Sequence, residues 1–99
     1  MTIQNAKITG TMLGFEGHGI FTCFLYLDYG GISQGFGGYF LEHQKNMVQG
    51  ILRTVGVESW EELSGKFVRV ESDRNKIIRL GNIVKDVWYT PETDEVSKS

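Results

Sequence analysis

A chain of 99 residues has room for one hydrophobic core and not for two, since a domain of this size buries roughly 60–70% of its unfolded surface. Forty per cent of the residues are apolar, with six Phe, four Tyr and two Trp, and this argues against disorder of the whole chain. The formal net charge of −2 is unlike that of most nucleic-acid binders, but the charge is uneven: three Lys/Arg against six Asp/Glu in residues 1–65, six against two in 66–85, and one against four in 86–99.

Met1 leads straight into a polar, strand-like segment, with no charged region ahead of an apolar one, so a signal peptide is not expected. Ala6, Ile8 and Met12 alternate with Lys7, Thr9 and Thr11, a period of two that predicts a half-buried strand interrupted at Gly10. Gly14-Phe15-Glu16-Gly17-His18-Gly19 holds three glycines in six residues and predicts a loop. Residues 20–29 are apolar on both alternating faces, as in a central strand, and their longest apolar run is far below the ~20 residues of a membrane helix. The only cysteine, Cys23, lies in this run and reads as a small buried hydrophobe of a reducing compartment, with no activating His or cation nearby in sequence.

Gly30-Gly31 is a two-residue hairpin signal, and it fixes a register by counting. Tyr29 faces Ile32, Tyr26 faces Gly35, Leu25 faces Phe36, Phe24 faces Gly37 and Cys23 faces Gly38. Aromatic rings would then cover bare glycine backbone across the strand pair. Residues 44–55 predict a helix with Met47, Val48, Ile51, Leu52 and Val55 on one stripe and Gly56 as its C-cap. Gly50 inside that helix costs about 1 kcal/mol relative to Ala, and a close helix–sheet contact is a reason to keep it. Ser59-Trp60-Glu61-Glu62 matches a capping box opening a short helix. Two further strands flank a turn at residues 72–76, with Val68 and Val70 buried on one and Ile78, Leu80 and Val84 on the other. Val87-Trp88-Tyr89 extends the second strand or packs just after it. Residues 1–89 form the expected domain, and 90–99 the expected flexible polar tail. The fold class is α+β: a curved antiparallel sheet of about five strands, in the order β-β-β-α-β-β, with one main helix packed on it.

Neither glycine cluster leads into a helix N-terminus and no Gly-Lys-Ser or Gly-Lys-Thr follows, so neither reads as a phosphate loop. His18 and His43 are 25 positions apart and pair with no spaced ligand set, so neither metal nor cofactor is expected. Glu16 and His18 remain a candidate ligand loop, and Asp28 and Glu42 are the other acid–base groups of this region. No nucleophile triad stands out, and the chain is expected not to be an enzyme. The candidate partner-binding residues are the basic hairpin's Arg69, Arg74, Lys76 and Arg79, with Tyr29, Phe36 and Tyr39 as aromatics fit for a protein interface. Phe40, Trp88 and Tyr89 complete a set of aromatics too large for every member to lie deep in so small a core.

Three segments carry a resemblance: Asp28-Tyr29-Gly30-Gly31 with Gln34-Gly35-Phe36-Gly37-Gly38-Tyr39; Gly56-Val57-Glu58-Ser59-Trp60-Glu61-Glu62-Leu63-Ser64-Gly65-Lys66; and Leu80-Gly81-Asn82-Ile83-Val84-Lys85-Asp86. Together, over roughly residues 6–90, the chain resembles small accessory proteins of phages and prophages, for which no catalytic residues are assigned. The resemblance implies a role in the cytoplasm of a bacterial host and no membrane. It implies a non-catalytic protein that binds a host protein or a defence ribonucleoprotein complex and inhibits it by occupying a functional surface, as anti-CRISPR proteins do. Two alternatives stay open: a nucleic-acid-associated accessory protein using the basic hairpin, and a small-molecule binder or enzyme using the Gly-rich loop.

Overall fold

The computed structural model describes residues 1–38, 45–74 and 76–98. The chain runs β1 (Thr2–Phe15), β2 (Phe21–Tyr29), β3 (Ile32–Gly38), α1 (Met47–Val55), a 3₁₀ turn (Trp60–Glu62), β4 (Phe67–Asp73), β5 (Lys76–Asn82), β6 (Trp88–Thr90) and β7 (Glu95–Ser97). All seven strands join one antiparallel sheet in the order β3-β2-β1-β4-β5-β6-β7, two more than the sequence pattern suggests.

The sheet is organised by β1, which is long enough to serve two neighbours. Residues 2–7 pair with β4 and residues 7–15 with β2. At the changeover, Ile8 donates its N–H to the Lys66 carbonyl (2.8 Å) and accepts from the Gly65 N–H (2.7 Å). A bulge at Thr9 then adds one residue and reverses the faces beyond it. Ala6 and Ile8 are therefore buried, whereas Met12 turns to the outer side, opposite Phe24. The same device acts in β5. A register shift beside Glu71 leaves Ile78 as the extra residue, so Ile77 enters the core in place of the expected Ile78, while Leu80 is buried as expected. Val84 lies past the end of β5 in an exposed turn, where Asn82 Oδ1 accepts from the N–H groups of Val84 and Lys85.

The β2–β3 register is the one that counting from Gly30-Gly31 gives, residue for residue. Both glycines have positive φ, 58° and 78°, which is the type I′ turn that matches strand twist. The ring that lies over Gly35 is the diagonal Phe24 and not the directly paired Tyr26: a Cβ at Gly35 would fall inside the Phe24 ring, and one at Gly37 would meet the Cys23 carbonyl and Met47. Helix α1 packs on β5, β6 and β7, with Met47 and Ile51 fully buried. Gly56 ends it in the left-handed conformation, donating to the Leu52 carbonyl (2.8 Å). A Cβ at Gly50 would come within 2.5 Å of the Tyr89 ring, so the helical glycine is there for closeness to the sheet.

Trp88–Thr90 pairs with Glu95–Ser97, in the stretch expected to be a polar tail, to form the β6–β7 hairpin. Asp94 holds it: one carboxylate oxygen accepts from Tyr89 Oη (2.7 Å) and the other from the Asn46 N–H (3.0 Å) at the start of α1. Burial and this carboxylate both push the Tyr89 hydroxyl well above its usual range. No described helix is long and apolar enough to cross a membrane.

Candidate functional site

Six of the seven candidate partner-binding residues fall into three groups. Tyr29 and Phe36 are core residues, 8% and 3% exposed, and Tyr29 Oη donates to Gln34 Oε1. Tyr39, with Phe40, Glu42 and His43, lies outside the described residues. Arg74 and Lys76 are exposed at the β4–β5 turn, where Arg74 takes a positive φ of 58°.

Arg69 and Arg79 form the third group, and their charge is committed within the protein. The two guanidinium groups lie over the Trp88 ring system, at 4.8 Å and 4.2 Å from a ring centroid. Arg69 donates from Nε to the Asn82 carbonyl (2.7 Å) and from Nη2 to the Lys85 carbonyl (2.7 Å). Arg79 stands directly across from Glu71 and donates to its Oε1 from Nε (3.0 Å) and Nη2 (2.8 Å). Trp88 is 1% exposed, covers Gly81 and donates from Nε1 to Asp86 Oδ1 (2.9 Å). Two of the hairpin's four cationic side chains thus fasten β4, β5 and β6 together and are not arrayed for phosphate contacts, while Arg74 and Lys76 stay exposed at the turn.

The candidate ligand loop is a self-contained turn. Glu16 Oε1 accepts from the His18 N–H (2.7 Å), and the Gly19 N–H returns to the Glu16 carbonyl (2.8 Å). Among the described residues no group of three or more His, Cys, Asp or Glu side chains is placed to hold a metal ion. Burial pushes the Cys23 thiol up to about 12, and a thiol held protonated is a poor nucleophile.

Two features emerge that pattern reading did not single out: an apolar cluster beside the Glu16–His18 loop and a cleft between β3 and β5. The cluster is the tip of the β1–β2 hairpin. Leu13 and Phe15 on β1 share a face with Phe21 on β2, and this is the face that lies in the core at Cys23 and Leu25. Past Cys23 the ribbon outruns the core. Phe15 is 71% exposed and Phe21 42%, with ring centroids 5.2 Å apart, and Ile20 beside them is exposed as well. The signal in sequence is a glycine loop flanked by apolar residues on both sides. What pattern cannot supply is where the core stops.

The other feature is a cleft of about 700 Å³ between β3 and β5. The sheet curls far enough for Gly35, Phe36 and Gly37 to face Lys76 and Ile77 across it, although three strands separate β3 from β5 in the sheet order. Asp73 and Glu92 bring carboxylates to its rim. Compared with protein-family models, curated proteins and solved structures, the chain matches none.

Proposed function

We propose that the chain is a non-catalytic binding protein that docks on a partner protein through the tip of its β1–β2 hairpin. The observation that carries this reading is the Phe15–Phe21 pair, set directly opposite each other on paired strands and left in water with Leu13 and Ile20 next to it. Contiguous exposed apolar surface on a small domain marks an interaction site. Removing such a side chain from water contributes about 1.5–3 kcal/mol. The neighbouring Glu16 and His18 form the polar rim expected around such a centre.

The likeness to phage accessory proteins extends this proposal to the partner. It is a bacterial defence complex of the CRISPR-effector kind, inhibited because a surface it needs is occupied. The test uses wild type and a Phe15→Ser/Phe21→Ser double variant as baits against lysates of strains carrying active defence systems, alongside phage plaque counts in the same strains. The expected result is a partner held by wild type only, and plaque counts raised by wild type only. Equal capture by both baits removes the hairpin from the proposal. Unchanged plaque counts with wild type remove the inhibitory role.

A further inference from the structure

The two outer strands of the sheet are protected very differently. β7 is three residues long and includes Glu95, with Lys98 just beyond it: a short, charged edge of the kind that discourages pairing. β3 has seven residues, Ile32-Ser33-Gln34-Gly35-Phe36-Gly37-Gly38, with neither a charge nor a proline. Among the described residues it pairs with β2 alone. In a two-residue hairpin the closing pair is hydrogen-bonded, here Tyr29 with Ile32, and bonded and non-bonded pairs alternate from there. Ile32, Gln34 and Phe36 therefore turn their backbone groups towards β2, and Ser33, Gly35 and Gly37 turn theirs away from it. The missing side chains at Gly35 and Gly37 make room for the protein's own Phe24 ring and for the Cys23 carbonyl with Met47, so what this edge presents outward is its backbone groups.

The cleft borders this edge. Its far wall is the first part of β5, because β6 pairs with β5 only at Leu80 and Gly81. In the alternating antiparallel order β3 and β5 run in the same direction, so a chain laid between them meets both walls in one orientation. Asp73 and Glu92 outnumber Lys76 among the charged side chains that line it.

We infer that the β3–β5 cleft receives an extended segment of a partner protein as an added strand on β3, bearing a Lys or Arg where it passes Asp73 and Glu92. Its main chain exchanges hydrogen bonds with Ser33, Gly35 and Gly37, and alternate side chains point down towards Phe36 and Ile77. This surface is separate from the hairpin tip, so either reading can fail without the other.

The experiment is selection of a displayed random heptapeptide library on the full-length protein, followed by measurement on the selected peptides. Ser33→Pro removes an outward N–H from an edge strand, where proline is tolerated. Asp73→Lys/Glu92→Lys reverses the rim. The expected peptides alternate apolar residues, contain Lys or Arg and lack proline. They bind each variant at least about tenfold more weakly, and they slow amide exchange at Ser33, Gly35 and Gly37 by a similar factor in the wild-type complex. The exchange measurement needs no variant, so it decides the matter even if Ser33→Pro does not fold. A selection without binders, peptides indifferent to both variants, or protection confined to β7 overturns the inference. So does sedimentation showing a dimer that protects the same three amides, since the edge would then belong to a second copy.

Discussion

The β1–β2 and β4–β5 hairpins carry opposite chemistry, and each uses it opposite to first expectation. The β4–β5 hairpin holds four of the ten Lys and Arg residues, but Arg69 and Arg79 are folded over Trp88 and bonded to Asn82, Lys85 and Glu71. The β1–β2 hairpin is the stretch with the most core-like composition, yet its tip stands in water. The difference teaches that charge counts as recognition surface only after internal partners are subtracted. Apolar residues count as core only as far as a second layer covers them.

The sharpest way to break this contrast is through Trp88. Trp88→Ala removes a fully buried indole together with the surface on which both guanidinium groups rest. A loss of about 3–5 kcal/mol in urea unfolding is expected. Trp88→Phe keeps a ring over Gly81 and loses the Nε1–Asp86 hydrogen bond, so its expected loss is smaller, about 1–2 kcal/mol. Equal losses for the two variants would mean that a phenyl ring at this position supports the arginines no better than a methyl group does, and that the contrast drawn from ring stacking fails.

Glu71→Ala comes next. The Arg79–Glu71 pair is neither exposed nor fully buried, with side chains 20% and 13% accessible, so about 1–2 kcal/mol is expected, between the surface and buried limits. The same change shifts net charge on this face by +1. Binding to heparin at low salt is therefore expected to rise above that of wild type, whose arginine is committed to Glu71. Unchanged heparin binding would show that Arg79 was already available.

A third prediction concerns pH and tests whether acid sensitivity lies outside both hairpins. Hydrogen bonds from the Ser59 N–H (2.9 Å), then the Glu58 N–H (3.0 Å), hold the Glu62 carboxyl below its usual range. Its folded pKa is depressed, so its contribution to stability is fully present above the unfolded value, about 4.3, and is lost as pH falls through the folded one. Glu62→Gln is expected to flatten that part of the acid unfolding curve and to leave the curve's neutral region unchanged in slope. A variant curve parallel to wild type below pH 4.3 would assign the acid response to other carboxylates.

Much of the local structure was legible because it depends on neighbours in sequence. Gly30-Gly31 sets a seven-pair register, Gly56 stops α1, Ser59 and Glu62 make their cap, and Gly50 signals a close contact that Tyr89 supplies. The misread positions depend on distant partners. The bulges at Thr9 and Ile78 send Met12 outward and Ile77 inward, and no period-two pattern marks where an extra residue sits. The order of the C-terminal hairpin rests on Asp94 meeting Asn46, 48 positions away. Arg69 and Arg79 meet an indole only because β6 brings Trp88 opposite Gly81. The cleft is the least legible feature of all, since it exists only through the summed curl of five strands.

The smallest expected change in stability is at the other hairpin, and it matters because it is small. Phe15 projects from the β1–β2 ribbon with most of its surface in water, so Phe15→Ser removes little burial. A surface substitution of this kind falls within about 0.5 kcal/mol of wild type. Serine also fits a strand less well than Phe, which sets the sign as slightly destabilising. If the tip is a recognition surface, the same substitution weakens partner capture by about tenfold or more, as loss of one anchor side chain does. A large effect on capture with almost none on unfolding separates a docking residue from a core residue, and Leu25, buried on the same ribbon face, supplies the control. Leu25→Ala is expected to lose about 2–5 kcal/mol, so that any fall in capture follows unfolding. If Phe15→Ser unfolds the protein as Leu25→Ala does, the tip belongs to the core and the contrast between the two hairpins disappears.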